Sequence, residues 1–345
     1  MRRIRIGNKV IGEEEPTFII AEAGVNHKGD FGIARRMVEI AADSGADAVT
    51  FQHILGDKLI AGISEEQSAN NWDEWQSAKN WDKWKLAEGE LKELFEYADN
   101  LGLLYTAGVI DNESVDKIVE YGASFLKIDS GDLTCLPFLE YCATKKLPIL
   151  LSTGAARLCE IEIALNTIQL AGNEDIVVYH TNSGYPTPPG GVNLRVMDTL
   201  RDAFKLPVGL CDHTLEAITP IVAVARRASV IEKHFTLDRS LRGPDYEVSL
   251  EPGELKEMIT NVRLVEKMLG SPIKKPLEYE QKTLKFARRS IVSRVKIPQG
   301  TIITEDMLSF KRPSTGIAPS FASLVVGRSA RIDIDEDKII SWDML

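Results

Sequence analysis

A (β/α)8 barrel followed by a small β-rich domain is the α/β fold that this sequence predicts. Three observations carry that prediction. Apolar residues at helical spacing alternate with short β-branched or aromatic runs, and eight such runs can be read before Leu269-Gly270. The alternation then stops, and a Pro- and charge-rich stretch leads into short strands and turns. Strands that alternate with helices form parallel βαβ units, and eight of them close on themselves. A doubly wound open sheet is the weaker reading, because no GxGxxG follows the first strand.

The elements follow in order. Met1-Arg-Arg leads into a polar turn, and Phe18–Ala21 is the first barrel strand. Ala34, Met37, Val38 and Ala41 fall on one helical face, Gly45 ends the helix, and the run 48–51 is the next strand. Leu91, Leu94, Phe95, Ala98 and Leu101 repeat the pattern, Gly102 closes it, and the run 103–106 follows. Further strands are predicted at 125–128, 149–151, 176–180, 208–210 and 230–233. The stretch 70–84, with Trp72, Trp75, Trp81 and Trp84, reads as an amphipathic helix outside the barrel, the alternative being a lid over a sugar. Residues 1–270 are thus the barrel, 271–286 a linker, and 287–345 a β-rich domain containing Ser290–Ile297, the turn Pro298-Gln-Gly300 and the pair Ile302-Ile303. From Ala287 onward nine basic residues face seven acidic ones, a weakly cationic tail on an acidic barrel.

Composition excludes several function classes. The formal charge of −10 and the lack of a basic run speak against nucleic-acid binding. No apolar run approaches the roughly 18 residues of a membrane helix, so a cytoplasmic protein with no membrane contact is expected. Cys135, Cys142, Cys159 and Cys211 form no CxxC pair, and reduced thiols are expected rather than a zinc knuckle or redox motif.

In such a barrel the chemistry sits at the C-terminal ends of the strands. Reading the residue beyond each strand gives Glu22, Gln52 and His53, Thr106, Lys127 and Ser130, Ser152-Thr-Gly154, His180 with Ser183, Asp212-His213, and Glu232 with His234. All five histidines (His27, His53, His180, His213 and His234) fall at or past a strand end. A ring of imidazoles and carboxylates suits a divalent metal, and His213 and His234 end neighbouring strands. Glu22 would join them if the barrel closes; its bland alternative is a buried salt bridge to Lys127.

Several motifs resemble the sialic acid synthase family: Ile-Ala-Glu-Ala-Gly-Val-Asn-His-Lys-Gly (20–29), Leu-Lys-Ile-Asp-Ser-Gly-Asp (126–132), Leu-Ser-Thr-Gly (151–154), Tyr-Pro-Thr-Pro (185–188), Gly-Leu-Cys-Asp-His-Thr (209–214) and Ile-Glu-Lys-His-Phe-Thr (231–236). The tail motif Lys-Arg-Pro (311–313) is similar to that family's C-terminal antifreeze-like (SAF) domain. The resemblance implies condensation of phosphoenolpyruvate with the open-chain aldehyde of an N-acylmannosamine-type aldose, giving a nonulosonic acid and phosphate for surface polysaccharide or glycan synthesis. It implies that His213 and His234 hold Mn²⁺ or Mg²⁺ and that Glu22 is the catalytic acid and base. It further implies that Thr106, Lys127, Ser130, Ser152 and Ser183 bind phosphoenolpyruvate, and that Gln52, Tyr185 and Asp245 bind the sugar. Arg312 would reach a partner's site in a domain-swapped homodimer. The chain departs from the family's pattern at Thr50, where a lysine is usual, at Cys211 for a serine, at Ala107-Gly108 for Pro-Phe, and at Tyr246 for a histidine. Retained metal and acid positions beside a changed anion and sugar pocket suggest the same chemistry on an altered substrate, or weakened activity. The competing readings are a metal-dependent aldolase on the same barrel, a lysine-type aldolase using Lys127, and a catalytically weakened or silent sugar-binding protein.

Overall fold

A computed structural model of the chain describes residues 2–52, 58, 83–241, 243 and 245–345. His53, Trp72, Trp75 and Trp81, named above, lie outside the described residues. The chain divides into two compact units, Met1–Gly270 and Ser271–Leu345.

The first unit is a closed barrel of eight parallel strands: β3 (Phe18–Gly24), β4 (Ala48–Gln52), β5 (Leu104–Gly108), β6 (Leu126–Ile128), β7 (Ile149–Ser152), β8 (Ile176–Thr181), β9 (Val208–Asp212) and β10 (Val230–His234). β10 pairs with β3, placing His234 opposite Glu22 and closing the ring. Alternate residues along each strand build two separate cores. Ile19, Val49, Phe51, Leu126, Leu151, Val178, Leu210 and Ile231 pack outward against the helices. Phe18, Ile20, Ala48, Phe125, Leu150, Val177, Tyr179 and Val230 fill the inside. The helix Phe31–Ser44 begins where Asp30 accepts from the Ile33 N–H at 2.9 Å and ends at Gly45, as its sequence predicts.

The strands run further than the sequence reading placed them. β3, β5, β9 and β10 keep extended backbone through Gly24, Gly108, Asp212 and His234, because ladder pairing with neighbours continues past the last apolar residue. The N-terminal segment also differs from expectation. Instead of a polar turn alone, β1 (Ile4–Ile6) and β2 (Lys9–Ile11) form an antiparallel hairpin about Gly7-Asn8. Ile4, Ile6 and Ile11 are fully buried in the inner core, a floor plug worth about 1.5–3 kcal/mol per side chain. Asp47 stitches this end together, since its carboxylate accepts from the Ile19 N–H at 2.9 Å and pairs with Lys9 and Arg263.

The second unit contains the short helix Gln281–Ala287, within the stretch read as linker, and the antiparallel pair β11 (Ser290–Ser293) and β12 (Leu308–Lys311). Ile291, Ile297, Ile303, Ile317, Ile334 and Ile340 form its own core. Among the described residues, no helix is long and apolar enough to cross a membrane.

Candidate active site

The C-terminal mouth of the barrel holds a pocket of about 210 Å³. Its walls divide by strand. β6, β7 and β8 and their loops bring Lys127, Ser130, Ser152 and Ser183; β9, β10 and β3 bring His213, His234 and Glu22. Gln52, at the end of β4, and Tyr185 also line the pocket.

The first half can receive an anion. Lys127 Nζ lies 2.9 Å from both Asp129 Oδ1 and Glu232 Oε1. Burial opposes its charge, but those two carboxylates outweigh burial and hold the ammonium well above the usual lysine range. Ser130 Oγ accepts from the Gly154 N–H at 2.9 Å, and Ser152 Oγ is buried with no partner among the described residues. A Cβ at Gly154 would lie 2.2 Å from Ser183 Oγ and 2.8 Å from Ser130 Oγ, so only glycine lets these hydroxyls converge. One ammonium and several free hydroxyls are what a carboxylate or phosphate requires.

The second half is held neutral. His213 Nδ1 donates to the Asn182 carbonyl at 2.7 Å, since a carbonyl can only accept. That leaves the Nε2 lone pair turned inward, 2.9 Å from the Tyr185 hydroxyl. Burial lowers the His213 pKa to about 4 and takes His234 well below its ordinary value, so both imidazoles are uncharged at neutral pH. Their ring centroids are 5.5 Å apart. His234 Nδ1 and Asp245 Oδ2 are buried, have no hydrogen-bond partner among the described residues, and stand 4.0 Å apart. Glu22 Oε1 accepts from the Gly24 N–H at 2.6 Å, across a β-bulge where Gly24 has a φ of 52°. A Cβ at Gly24 would crowd Asp245 Oδ2 at 2.9 Å and His234 Nδ1 at 3.5 Å. Burial, reinforced by Glu232, pushes the Glu22 carboxyl well above the usual range. These donors fit a divalent cation held by two neutral imidazoles, with its other positions left to water and substrate. Among the described residues, no three His, Cys, Asp or Glu side chains form a cage made by protein alone.

Some residues predicted from sequence sit elsewhere. Thr106 is fully buried, gives its hydroxyl to the Phe125 carbonyl at 2.5 Å and does not line the pocket. Asp245 stands behind His234 rather than in the lining. Arg312 is exposed in the second unit, after β12. Of the histidines, His27 accepts from the Gly29 N–H through Nδ1 and His180 donates through Nε2 to the Val192 carbonyl, so both serve loops, not a ring of ligands. The Glu22–Lys127 salt bridge is not formed. Lys233, fully buried on the opposite face of β10, pairs with Asp212, and Arg239 pairs with Glu254; neither replaces the cation absent at Thr50. Tyr246 donates to the Asn26 carbonyl and joins two loops instead of entering the pocket.

The sequence reading does not pick out Asp129, takes Cys211 only as a departure from the family's pattern, and gives Glu232 no role. Period-two alternation finds them, because each lies two positions from a residue already chosen, Lys127, His213 or His234. Cys211 Sγ donates to Glu232 Oε1 at 3.2 Å, and burial keeps the thiol un-ionised, with a pKa well above its usual value.

Comparison with known proteins identifies the family. The NeuB family profile matches residues 37–274, and the SAF domain profile matches residues 288–345. The chain is similar to an uncharacterized protein of Methanocaldococcus jannaschii, at 42% identity over 100% of this chain and 99% of that one. It is 40% identical to the N,N'-diacetyllegionaminic acid synthase of Legionella pneumophila, over 98% of this chain and 97% of the relative. The crystal structure of N-acetylneuraminic acid synthetase from Leptospira borgpetersenii superposes with a TM-score of 0.74 at 33% identity, covering 82% of this chain and 95% of that one. The chain therefore belongs to the NeuB family, as a phosphoenolpyruvate-condensing synthase with a C-terminal SAF domain.

Proposed function

We propose that this protein joins phosphoenolpyruvate to the open-chain aldehyde of an N-acylmannosamine-type aldose, yielding a nonulosonic acid and phosphate. The observation that carries the reading is the juxtaposition, in one pocket, of an anion-receiving half with two neutral imidazoles and a buried carboxyl raised above its usual range. Lys127, Ser130, Ser152 and Ser183 hold the carboxylate and phosphate of phosphoenolpyruvate. Gln52 and Tyr185, which line the pocket, orient the sugar, and Asp245 backs His234. As C3 of phosphoenolpyruvate bonds to the aldehyde carbon, the aldehyde oxygen takes its proton from Glu22. The Glu22 carboxylate then accepts a proton from the water that adds to C2, and the adduct collapses by releasing phosphate. A divalent ion, Mn²⁺ or Mg²⁺, held by His213 and His234, supplies Lewis-acid polarisation of the aldehyde when bound. A Schiff-base aldolase is disfavoured, because such a lysine must be a free amine and Lys127 is held charged by two carboxylates.

The assembly we propose is a swapped homodimer in which the exposed Arg312 serves a partner's pocket. Mixed dimers of inactive Glu22→Gln and inactive Arg312→Ala chains then regain activity, and no recovery after verified subunit exchange contradicts it. The reaction itself is tested by phosphate release and product mass with phosphoenolpyruvate and a panel of aldoses: N-acetylmannosamine, its 6-phosphate and diacetamido-trideoxy hexoses. One aldose is expected to give an acid larger by the three carbons of pyruvate. Failure with every aldose, together with no binding of phosphoenolpyruvate, overturns the reading.

A further inference from the structure

Among the described residues lining the pocket, Lys127 is the one cation, and it already has two carboxylate partners. Those partners differ. The Glu232 side chain is 1% exposed and lies beneath the pocket, accepting from Cys211 as well, so it stays with Lys127 whatever binds above. The Asp129 side chain is 31% exposed and forms part of the pocket wall itself. Asp129 contributes its backbone carbonyl to the turn that follows β6, accepting from the Asp132 N–H, but its side chain makes no capping hydrogen bond there. Its carboxylate accepts from Lys127 Nζ through Oδ1.

We propose that Asp129 is a resident counter-ion, a built-in competitor that occupies Lys127 until the carboxylate or phosphate of phosphoenolpyruvate displaces it. The inference rests on the assignment of Lys127 to phosphoenolpyruvate binding. It deepens that assignment by naming the residue that sets the affinity. Removing a partly exposed carboxylate leaves no buried charge stranded, because Glu232 still neutralises Lys127. A substrate that must expel Asp129 loses the energy of that pair, and a substrate that meets a free ammonium does not. Asp129 therefore tunes how much phosphoenolpyruvate is needed without touching the bond that forms.

The test is titration of phosphoenolpyruvate alone into the full chain, as wild type, Asp129→Asn and Asp129→Ala, followed by steady-state kinetics. Both variants are expected to bind phosphoenolpyruvate about fivefold more tightly, the equivalent of a partly exposed ion pair. The KM for phosphoenolpyruvate is expected to fall in proportion, while the KM for the aldose stays in place. Structural damage moves both constants, so the split separates the two. Unchanged or weaker binding in both variants, with wild type binding normally, overturns the inference and leaves the assignment of Lys127 intact. A wild type that binds no phosphoenolpyruvate overturns the assignment, and the inference with it.

Discussion

The two halves of the pocket meet the same problem, ionisable groups buried under a barrel mouth, and resolve it in opposite ways. On the β9, β10 and β3 side, burial prevails: it raises the Glu22 carboxyl and lowers His213 and His234. On the β6 side, the buried Lys127 keeps its charge because Asp129 and Glu232 stand 2.9 Å away. Desolvation decides the ionisation only where no partner opposes it. The difference assigns the work: a neutral half that can donate a proton and offer lone pairs to a cation, and a charged half that can grip an anion.

Four perturbations sharpen this contrast, beginning with the largest effect. Excess chelator is expected to abolish turnover and Mn²⁺ to restore it, with His213→Ala weakening Mn²⁺ binding by at least about tenfold while the fold survives; full activity in chelator breaks the assignment of His213 and His234. Glu22→Gln keeps the shape but cannot cycle a proton, so kcat should fall by about 10²–10⁴, a loss read by phosphate release. Thr50 is fully buried, in register with Glu22 and Thr106. A lysine there overpacks the interior, and Thr50→Lys should destabilise the chain by about 1–3 kcal/mol and lower activity on the true substrate. A gain in activity with N-acetylmannosamine shows instead that the site is only weakened. Cys211→Ser retains a donor to Glu232 and should change kcat/KM least, whereas Cys211→Ala leaves Glu232 one donor short and costs about 1–3 kcal/mol of stability, measured by denaturant unfolding.

The barrel was legible because its apolar strands alternate with amphipathic helices that end at residues such as Gly45, and because its motifs stand in the family's order. The strand ends were not, since residues such as Cys211-Asp212 and Ala107-Gly108 inside a closed barrel are extended by pairing beyond the apolar run that marks the strand. The N-terminal hairpin was also hidden, because its three-residue strands acquire meaning only from the barrel floor they plug. Glu22, Lys127, His213 and His234 could be read because they follow apolar runs on neighbouring strands. Asp129, and the contacts of Cys211 and Glu232 with each other, demanded knowledge of which face points inward. Thr106 misled for the same reason: it lies within β5, and its hydroxyl is taken by a backbone carbonyl.

The division of labour between the halves is most directly tested by calorimetric titration of phosphoenolpyruvate, without aldose, into wild type, Glu22→Gln and Lys127→Gln. The two wild-type and Glu22→Gln affinities should coincide, because the neutral half does not grip the anion. Lys127→Gln should bind about 10- to 100-fold more weakly, the loss of one charge-assisted contact. Binding that survives in Lys127→Gln and disappears in Glu22→Gln would contradict the account.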